Sequence, residues 1–213
     1  MRILVLGATG LTGTEVVRRA LAAGHEVTAL VRDPARMRVR DPAVTVAVGE
    51  VTRDRAAVTA AAEGCGAAVS ALGSGHSLRS VLAPTVMSEA VPVIVRALPD
   101  AGVGRLVFLS SLGVGESWAV TPPSLKALYK PSLSRVFADK AAGERVLRAS
   151  TLDWTLVCPP MLSNGPLTGR CTAGTDLRLR GVPRISRADV ADFMVTEAAA
   201  GAHPRSTVVV ASR

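Results

Sequence analysis

The chain has 213 residues, 48% of them hydrophobic and only 3% aromatic, which suits one globular domain with an aliphatic core. Its net charge of +8 comes almost entirely from arginines scattered without aromatic neighbours, which argues against a nucleic-acid-binding surface. Three dispersed cysteines argue against a disulfide framework, and there is no metal-ligand spacing. Without a secretory signal or a membrane-length apolar run, we expect a cytoplasmic protein with no membrane partner.

Short apolar segments alternate with longer amphipathic segments along the chain. Predicted strands cover residues 2–6, 26–31, 44–48, 67–71, 105–109, 154–157 and 207–211. Predicted helices cover residues 11–23, 53–62, 84–101, 133–149 and 187–200, with Pro92 expected to kink or split the third. This alternation predicts βαβ units, and therefore a single α/β Rossmann-type domain over residues 1–213. Its doubly wound parallel sheet should carry helices on both faces.

Two segments rich in Gly, Pro and Ser interrupt this alternation, at about residues 113–132 and 159–183. Ligands of open α/β sheets bind outside the carboxyl ends of the strands. We therefore predict that both segments are loops over that end of the sheet and that they contact the substrate.

A glycine-rich turn follows the first predicted strand, in the segment Gly7-Ala8-Thr9-Gly10-Leu11-Thr12-Gly13. Gly7 permits a tight turn, Gly10 lets a backbone approach a diphosphate, and Gly13 allows close helix packing. The helix that follows presents free N–H groups and a positive dipole end to phosphates. A strand before and a helix after the motif predict a dinucleotide site. The predicted contacts in it are Gly7, Thr9, Gly10, Leu11, Thr12 and Gly13.

The end of the second strand bears on the choice between NADH and NADPH. It carries Arg32 and Asp33, with Arg36 close behind. An acidic residue here binds ribose hydroxyls, whereas arginine pairs with a 2′-phosphate. We predict NADPH, with Arg32 on the phosphate; in the alternative, Asp33 binds the ribose and Arg32 stays in solvent. Gly73 and Ser74 follow the fourth strand and are predicted cofactor neighbours.

The chain resembles the atypical short-chain dehydrogenases with NAD(P)H-binding, NmrA-like domains, and within them the flavin and biliverdin-IXβ reductases. The similar segments run nearly end to end: residues 7–13, 31–33, Thr85-Val86-Met87-Ser88-Glu89, 110–111, 159–160, Pro166-Leu167-Thr168-Gly169 and Asp189-Val190-Ala191-Asp192-Phe193-Met194. The resemblance implies hydride transfer from NADPH to flavins or linear tetrapyrroles in a shallow, open site. It further implies that Ser111 lies near the nicotinamide and that Pro159 lines its pocket. The chain departs from these reductases at Met161, where they carry a histidine.

The main short-chain dehydrogenases donate a proton through a Tyr-x-x-x-Lys pair, which this chain lacks. Its only tyrosine, Tyr129, has a leucine four residues on, and Lys140 has Val136 four residues before it. Carbonyl reduction with a tyrosine acid, or sugar epimerisation by that route, is therefore disfavoured. A flavin or another planar, conjugated acceptor suits the chain, because such an acceptor takes its proton from solvent.

Ser111 is the candidate catalytic residue, with a purely structural role at the strand end as the alternative. Ser110 and Pro159 are candidate cofactor contacts, and Ser110 has a structural alternative as well. The candidate substrate contacts are Trp118, Lys140 and Met161. For Trp118 the alternative is core packing, and for Lys140 it is a solvated helix position. Tyr129 is a candidate for a substrate lid.

Three functions remain open from the sequence. The first is an NADPH-dependent oxidoreductase acting on a flavin or related conjugated acceptor. The second is a non-catalytic NADP(H)-sensing regulatory protein, and the third a biosynthetic reductase or isomerase of a specialised metabolite. The sequence leaves the natural acceptor and the oligomeric state open.

Overall fold

The computed structural model describes residues 1–73, 85–129 and 133–212, which fold around one long sheet. The strands are β1 (Arg2–Leu6), β2 (Glu26–Val31), β3 (Val44–Val48), β4 (Ala67–Ser70), β5 (Arg105–Leu109), β6 (Asp153–Cys158), β7 (Met161–Ser163), β8 (Cys171–Gly174), β9 (Arg184–Ser186) and β10 (Ser206–Ser212). The helices are α1 (Leu11–Ala22), α2 (Arg55–Ala62), α3 (Val86–Asp100), α4 (Pro123–Tyr129), α5 (Ser134–Arg148) and α6 (Arg187–Ala200).

Eight strands form the main sheet in the order β3-β2-β1-β4-β5-β6-β10-β8. Every neighbouring pair is parallel except β10 and β8, which are antiparallel. A separate parallel pair joins β7 to β9. The strand order reverses between β1 and β4, which is where doubly wound proteins bind their ligands. The predicted Rossmann-type fold is confirmed.

The strand β1 shows why this sequence forms a sheet that is covered on both faces. Ile3 and Val5 are fully buried in one cluster, with α1 and α6. Leu4 and Leu6 are fully buried in the opposite cluster, with α2, α3 and α5. Successive side chains of a strand point to opposite faces, so a run of four apolar residues needs helices on both sides.

The helix α3 is continuous through Pro92, where the sequence predicts a kink or a split. A proline inside a helix removes one backbone hydrogen bond, at a cost of about 3 kcal/mol. The buried face of α3, which includes Met87, Val91 and Ile94, packs against α5 and the sheet and offsets that loss. The carboxylate of Asp139 on α5 also accepts hydrogen bonds from the backbone N–H of Met87 and Ser88, each 2.9 Å long.

The two segments predicted as loops contain regular structure. Residues 113–132 hold a 3₁₀ turn at Gly115–Trp118 and the helix α4, and residues 159–183 hold β7 and β8. They share a small core in which Leu125 and Tyr129 of α4 pack with Leu177 and Leu179. Ser124 also donates a 2.6 Å hydrogen bond to the carbonyl of Gly181. The two segments therefore form one packed unit beside the sheet.

Candidate functional site

The turn after β1 is shaped by close approaches that only glycine allows. Gly7 has φ +84°, and a Cβ on it would lie 2.9 Å from the backbone of Ala71 at the end of β4. A Cβ on Gly13 would lie 2.0 Å from the carbonyl oxygen of Gly7. The N–H of Gly10 closes the turn by donating to that same oxygen at 3.0 Å. The glycines therefore bring α1 directly against the end of the strand.

The helix α1 begins with backbone donors that its own turns leave free. Its first backbone hydrogen bond runs from the N–H of Thr14 to the carbonyl of Gly10, 2.8 Å long. The N–H groups of Leu11, Thr12 and Gly13 precede that bond and lie at the positive end of the helix dipole. Gly10 caps the helix without a side chain, so nothing from the cap shields these donors. This arrangement fits the diphosphate of a dinucleotide.

A cavity of about 220 Å³ extends from this turn across the ends of β1 to β4, and we call it the nucleotide cavity. It brings together five residues predicted from the sequence: Gly7, Thr9, Gly10, Arg32 and Gly73. Its other lining residues are Leu30, Val31, Arg36, Gly49, Glu50, Val51, Thr52, Ala71, Leu72 and Val86. Ser74, also predicted here, lies outside the described residues. Gly49, Glu50 and Val51 lie at the end of the third predicted strand, where the sequence suggested an adenine pocket, whereas Thr52 was not predicted.

Two arginines on the wall of this cavity are available for an anion. Arg32 and Arg36 are exposed, and their guanidinium groups form no hydrogen bond or ion pair with residues 1–73, 85–129 or 133–212. Asp33 lies between them in sequence but does not line the cavity. Its carboxylate accepts a 3.0 Å hydrogen bond from the N–H of Ala35 and caps a 3₁₀ turn.

The ends of β5 and β6 carry three further candidate residues, Ser110, Ser111 and Pro159. The N–H of Ser110 donates to the carbonyl of Val157, and that of Leu112 to the carbonyl of Pro159, both at 2.8 Å. These bonds fix the segment that carries Ser111 beside Pro159. Neither Ser111 nor Pro159 lines the nucleotide cavity. Residues 74–84, which precede α3 in the sequence, lie outside the described residues.

The two neighbouring serines have different surroundings. Ser110 is 2% exposed, and its hydroxyl donates to the buried carboxylate of Glu144 on α5. Glu144 also forms an ion pair with Arg148, at 3.1 Å. Ser111 is half-buried, and its hydroxyl has no hydrogen-bond partner within the described part of the chain. The side chain of Ser110 is thus engaged in the interior, whereas that of Ser111 is free to meet a ligand.

Lys140 lies one helical turn before Glu144 and is buried, not solvated. Burial lowers the pKa of its ammonium group, while Cys158, Glu144 and Asp139 act in the opposite direction. Burial raises the pKa of the Cys158 thiol to about 12, and Glu144 contributes in the same direction. Cys158 is therefore an inert core thiol, and Lys140 is a buried amine among acidic groups.

Two of the three predicted substrate contacts, Trp118 and Met161, lie in the packed unit of the two segments, whereas Lys140 lies on α5. The half-buried ring of Trp118 is covered by the ammonium group of Lys126, 5.1 Å from the ring centre. Met161 is half-buried against the small core. Tyr129 is not a lid residue: it is 8% exposed and packs edge-on against Phe137, with ring centres 5.0 Å apart. The spacing of Leu125 and Tyr129 on one helix face signals such packing.

A buried carboxylate ties the segment at residues 166–169 to α6. Asp189 accepts hydrogen bonds from the backbone N–H of Thr168 and Gly169, at 2.8 and 3.0 Å, and from the hydroxyl of Ser186 at 2.7 Å. Burial raises the pKa of this carboxyl, but these donors outweigh it and hold the pKa below its ordinary value. Two of the segments that carry the family resemblance are thus partners in one hydrogen-bond cluster.

Two possible features are not found among the described residues. No helix there combines the length and apolar character that crossing a bilayer requires. No group of three or more His, Cys, Asp or Glu side chains there is placed to hold a metal ion.

Comparisons with known proteins agree with this geometry. A model of an NAD(P)H-binding family matches residues 7–200. The uncharacterized sugar epimerase YhfK of Bacillus subtilis is 30% identical over 92% of this chain and 86% of its own length. The oxidoreductase ylbE of Lactococcus lactis superposes with a TM-score of 0.82 at 17% identity, covering 100% of this chain and 91% of that one. The anaerobillin reductase ChuY of Escherichia coli O157:H7 superposes with a TM-score of 0.79 at 24% identity, covering 100% and 97%. At these identities the two structures establish a shared fold.

Proposed function

The chain belongs to the NAD(P)H-binding family, and we propose that it is an NADPH-dependent reductase that transfers hydride to a flavin or a related conjugated acceptor. The observation that carries the proposal is the glycine turn, which leaves the first donors of α1 free beside the nucleotide cavity. The finer choices of NADPH and of a conjugated acceptor are supported by separate features.

The preference for NADPH is supported by the contrast between Arg32 and Asp33. A guanidinium can pair bidentately with a 2′-phosphate, and Arg32 lines the cavity with Arg36 beside it. Asp33, in contrast, does not line the cavity, and its carboxylate caps a 3₁₀ turn by accepting from the N–H of Ala35.

The preference for an acceptor that needs no protein acid is supported by the sequence before Lys140 and by the burial of Tyr129. Val136 stands four residues before Lys140, where the main short-chain dehydrogenases carry their tyrosine. Tyr129 is buried against Phe137. A conjugated acceptor can take its proton from water, so this lack of an acid is no obstacle.

In this proposal the residues of the chain act mainly by positioning. The bound nicotinamide supplies the hydride. The N–H groups of α1 hold the diphosphate, and Arg32 holds the 2′-phosphate. Ser111 orients the nicotinamide or the acceptor through its free hydroxyl, while Pro159 and Met161 form an apolar wall. Orientation of this kind can lower a barrier by about 7 kcal/mol or more in favourable cases.

Two other functions keep some support. The relative named as a sugar epimerase points to isomerase chemistry, although the tyrosine route is disfavoured here by Val136. A non-catalytic NADP(H) sensor is supported by the same missing acid and by Met161 in place of a histidine. A sensor would bind the dinucleotide without turnover.

The test is an acceptor screen that follows NADPH absorbance with flavins, quinones and linear tetrapyrroles, beside the same screen with NADH. We expect turnover with at least one flavin and a lower KM for NADPH than for NADH. The Ser111→Ala variant should bind NADPH as the wild type does, by calorimetry, but turn over more slowly. Tight NADPH binding with no turnover on any acceptor would reject the reductase and favour the sensor.

A further inference from the structure

A second cavity lies against the first two turns of α1 and the first turn of α6, and we call it the α1–α6 groove. Its volume is about 160 Å³. Its lining residues are Leu11, Thr14, Glu15, Arg18, Arg38, Asn164, Gly165, Arg187 and Ala188. None of them lines the nucleotide cavity, although Leu11 belongs to the first turn of α1, where the groove and the proposed diphosphate site adjoin.

The groove has a strong excess of positive charge. Three arginines, Arg18, Arg38 and Arg187, line it with only one carboxylate among the lining residues, that of Glu15. Excess charge of this kind attracts anions of more than one negative charge.

Two of these arginines are oriented by neighbours that occupy only part of their hydrogen-bonding capacity. Glu15 accepts from Arg18 at 2.6 Å, and the amide oxygen of Asn164 accepts from Arg187 at 2.6 Å. A guanidinium has five N–H donors, so each keeps donors for a ligand. The guanidinium of Arg38 forms no hydrogen bond or ion pair with the described residues.

The arginines stand on different parts of the chain that the groove brings together. The groove runs along one side of α1, whose lining residues are spaced as a single helix face, and it meets α6 at its first two residues, Arg187 and Ala188.

We propose that the α1–α6 groove binds a small polyvalent oxyanion such as phosphate. Arginine matches planar and tetrahedral oxyanions through paired N–H donors. The groove is smaller than the nucleotide cavity, about 160 Å³ against about 220 Å³, and its volume suits an ion of a few atoms. The site does not depend on the proposed reductase activity.

The test is a titration with inorganic phosphate at constant ionic strength, without dinucleotide, followed by ¹⁵N–¹H correlation spectra. We expect saturable shifts of the amides of Gly165 and Ala188. The affinity derived from them should fall at least fivefold in Arg38→Ala and in Arg187→Ala. The matched control is Arg96→Ala, which removes the same charge from an exposed position on α3 and should leave the affinity unchanged.

Shifts that grow linearly with phosphate, without saturation, would overturn the proposal. So would an equal loss of affinity in Arg96→Ala and Arg38→Ala, because that would reflect net charge alone. Calorimetry of the Arg38→Ala variant with NADPH distinguishes the groove from the nucleotide cavity. We expect this variant to bind NADPH as the wild type does.

Discussion

The carboxylate of Asp33 accepts a 3.0 Å hydrogen bond from the N–H of Ala35, and Asp33 is not among the residues that line the nucleotide cavity. Arg32, one residue earlier, lines that cavity instead. Two adjacent residues with opposite charges thus have different roles: one shapes the turn, and the other is available to the ligand.

Arg32→Ala should weaken NADPH binding roughly 10- to 100-fold, as expected for the loss of charge-assisted hydrogen bonds to the 2′-phosphate. NADH binding should change little. Isothermal titration of both dinucleotides measures the two effects. Arg40→Ala, an exposed arginine that does not line the cavity, is the control and should affect neither. Equal weakening of NADPH and NADH would reject the role of Arg32.

Gly13→Ala should abolish dinucleotide binding and lower the unfolding temperature, because the new Cβ would lie 2.0 Å from the carbonyl oxygen of Gly7. Gly104→Ala is a matched control, since nothing lies within 4 Å of a Cβ at that position. Thermal unfolding with and without NADPH checks both variants. If Gly13→Ala retained NADPH-dependent stabilisation, α1 would not need its close contact with the strand.

Ser110→Ala and Ser111→Ala should separate stability from function. Ser110→Ala removes a donor to the buried carboxylate of Glu144 and should lower the free energy of unfolding by about 1–3 kcal/mol. Ser111→Ala should leave the unfolding free energy unchanged and reduce kcat roughly two- to tenfold. Urea unfolding and steady-state kinetics measure the two effects. Unchanged kcat in Ser111→Ala would assign that serine a structural role only.

The Asp189 cluster should make stability depend on acidic pH. The folded-state pKa of Asp189 lies below its ordinary value of 3.8, so its carboxylate stabilises the fold above that pH. This stabilisation is lost as the pH falls through the lower, folded-state pKa. Asp189→Asn should therefore be less stable than the wild type at pH 7, with a smaller gap at pH 3. Urea unfolding at both pH values measures the gap. Asp192→Asn is the control, because the side chain of Asp192 makes none of these hydrogen bonds. Its difference in unfolding free energy from the wild type should not shrink between pH 7 and pH 3.

Much of the fold could be predicted because its signals are local. The run Ile3-Leu4-Val5-Leu6 predicts a doubly covered strand, and the glycines of residues 7–13 predict the turn and the start of α1. The helix α4 and the strands β7 to β9 were not predicted. They are short, and their stability comes from tertiary packing, such as that of Leu125 against Leu177 and Leu179.

The site was predictable only in part, because some of its contacts depend on tertiary packing and leave no local signal in the sequence. Arg32 and Gly73 could be placed because they follow predicted strands. The burial of Lys140 could not be foreseen, since it depends on how α5 packs. Nor could the partner of the Ser110 hydroxyl, because Glu144 is 34 residues away in the sequence.

The shared core of the two segments, with the hydrogen bond from Ser124 to Gly181, has a consequence for the exchange of either segment. Exchange of residues 113–132 alone for those of a relative would leave Leu177 and Leu179 without their partners. We therefore expect the two segments to tolerate replacement only as a pair. A chimera that transfers the pair should remain folded, whereas one that transfers a single segment should be unstable.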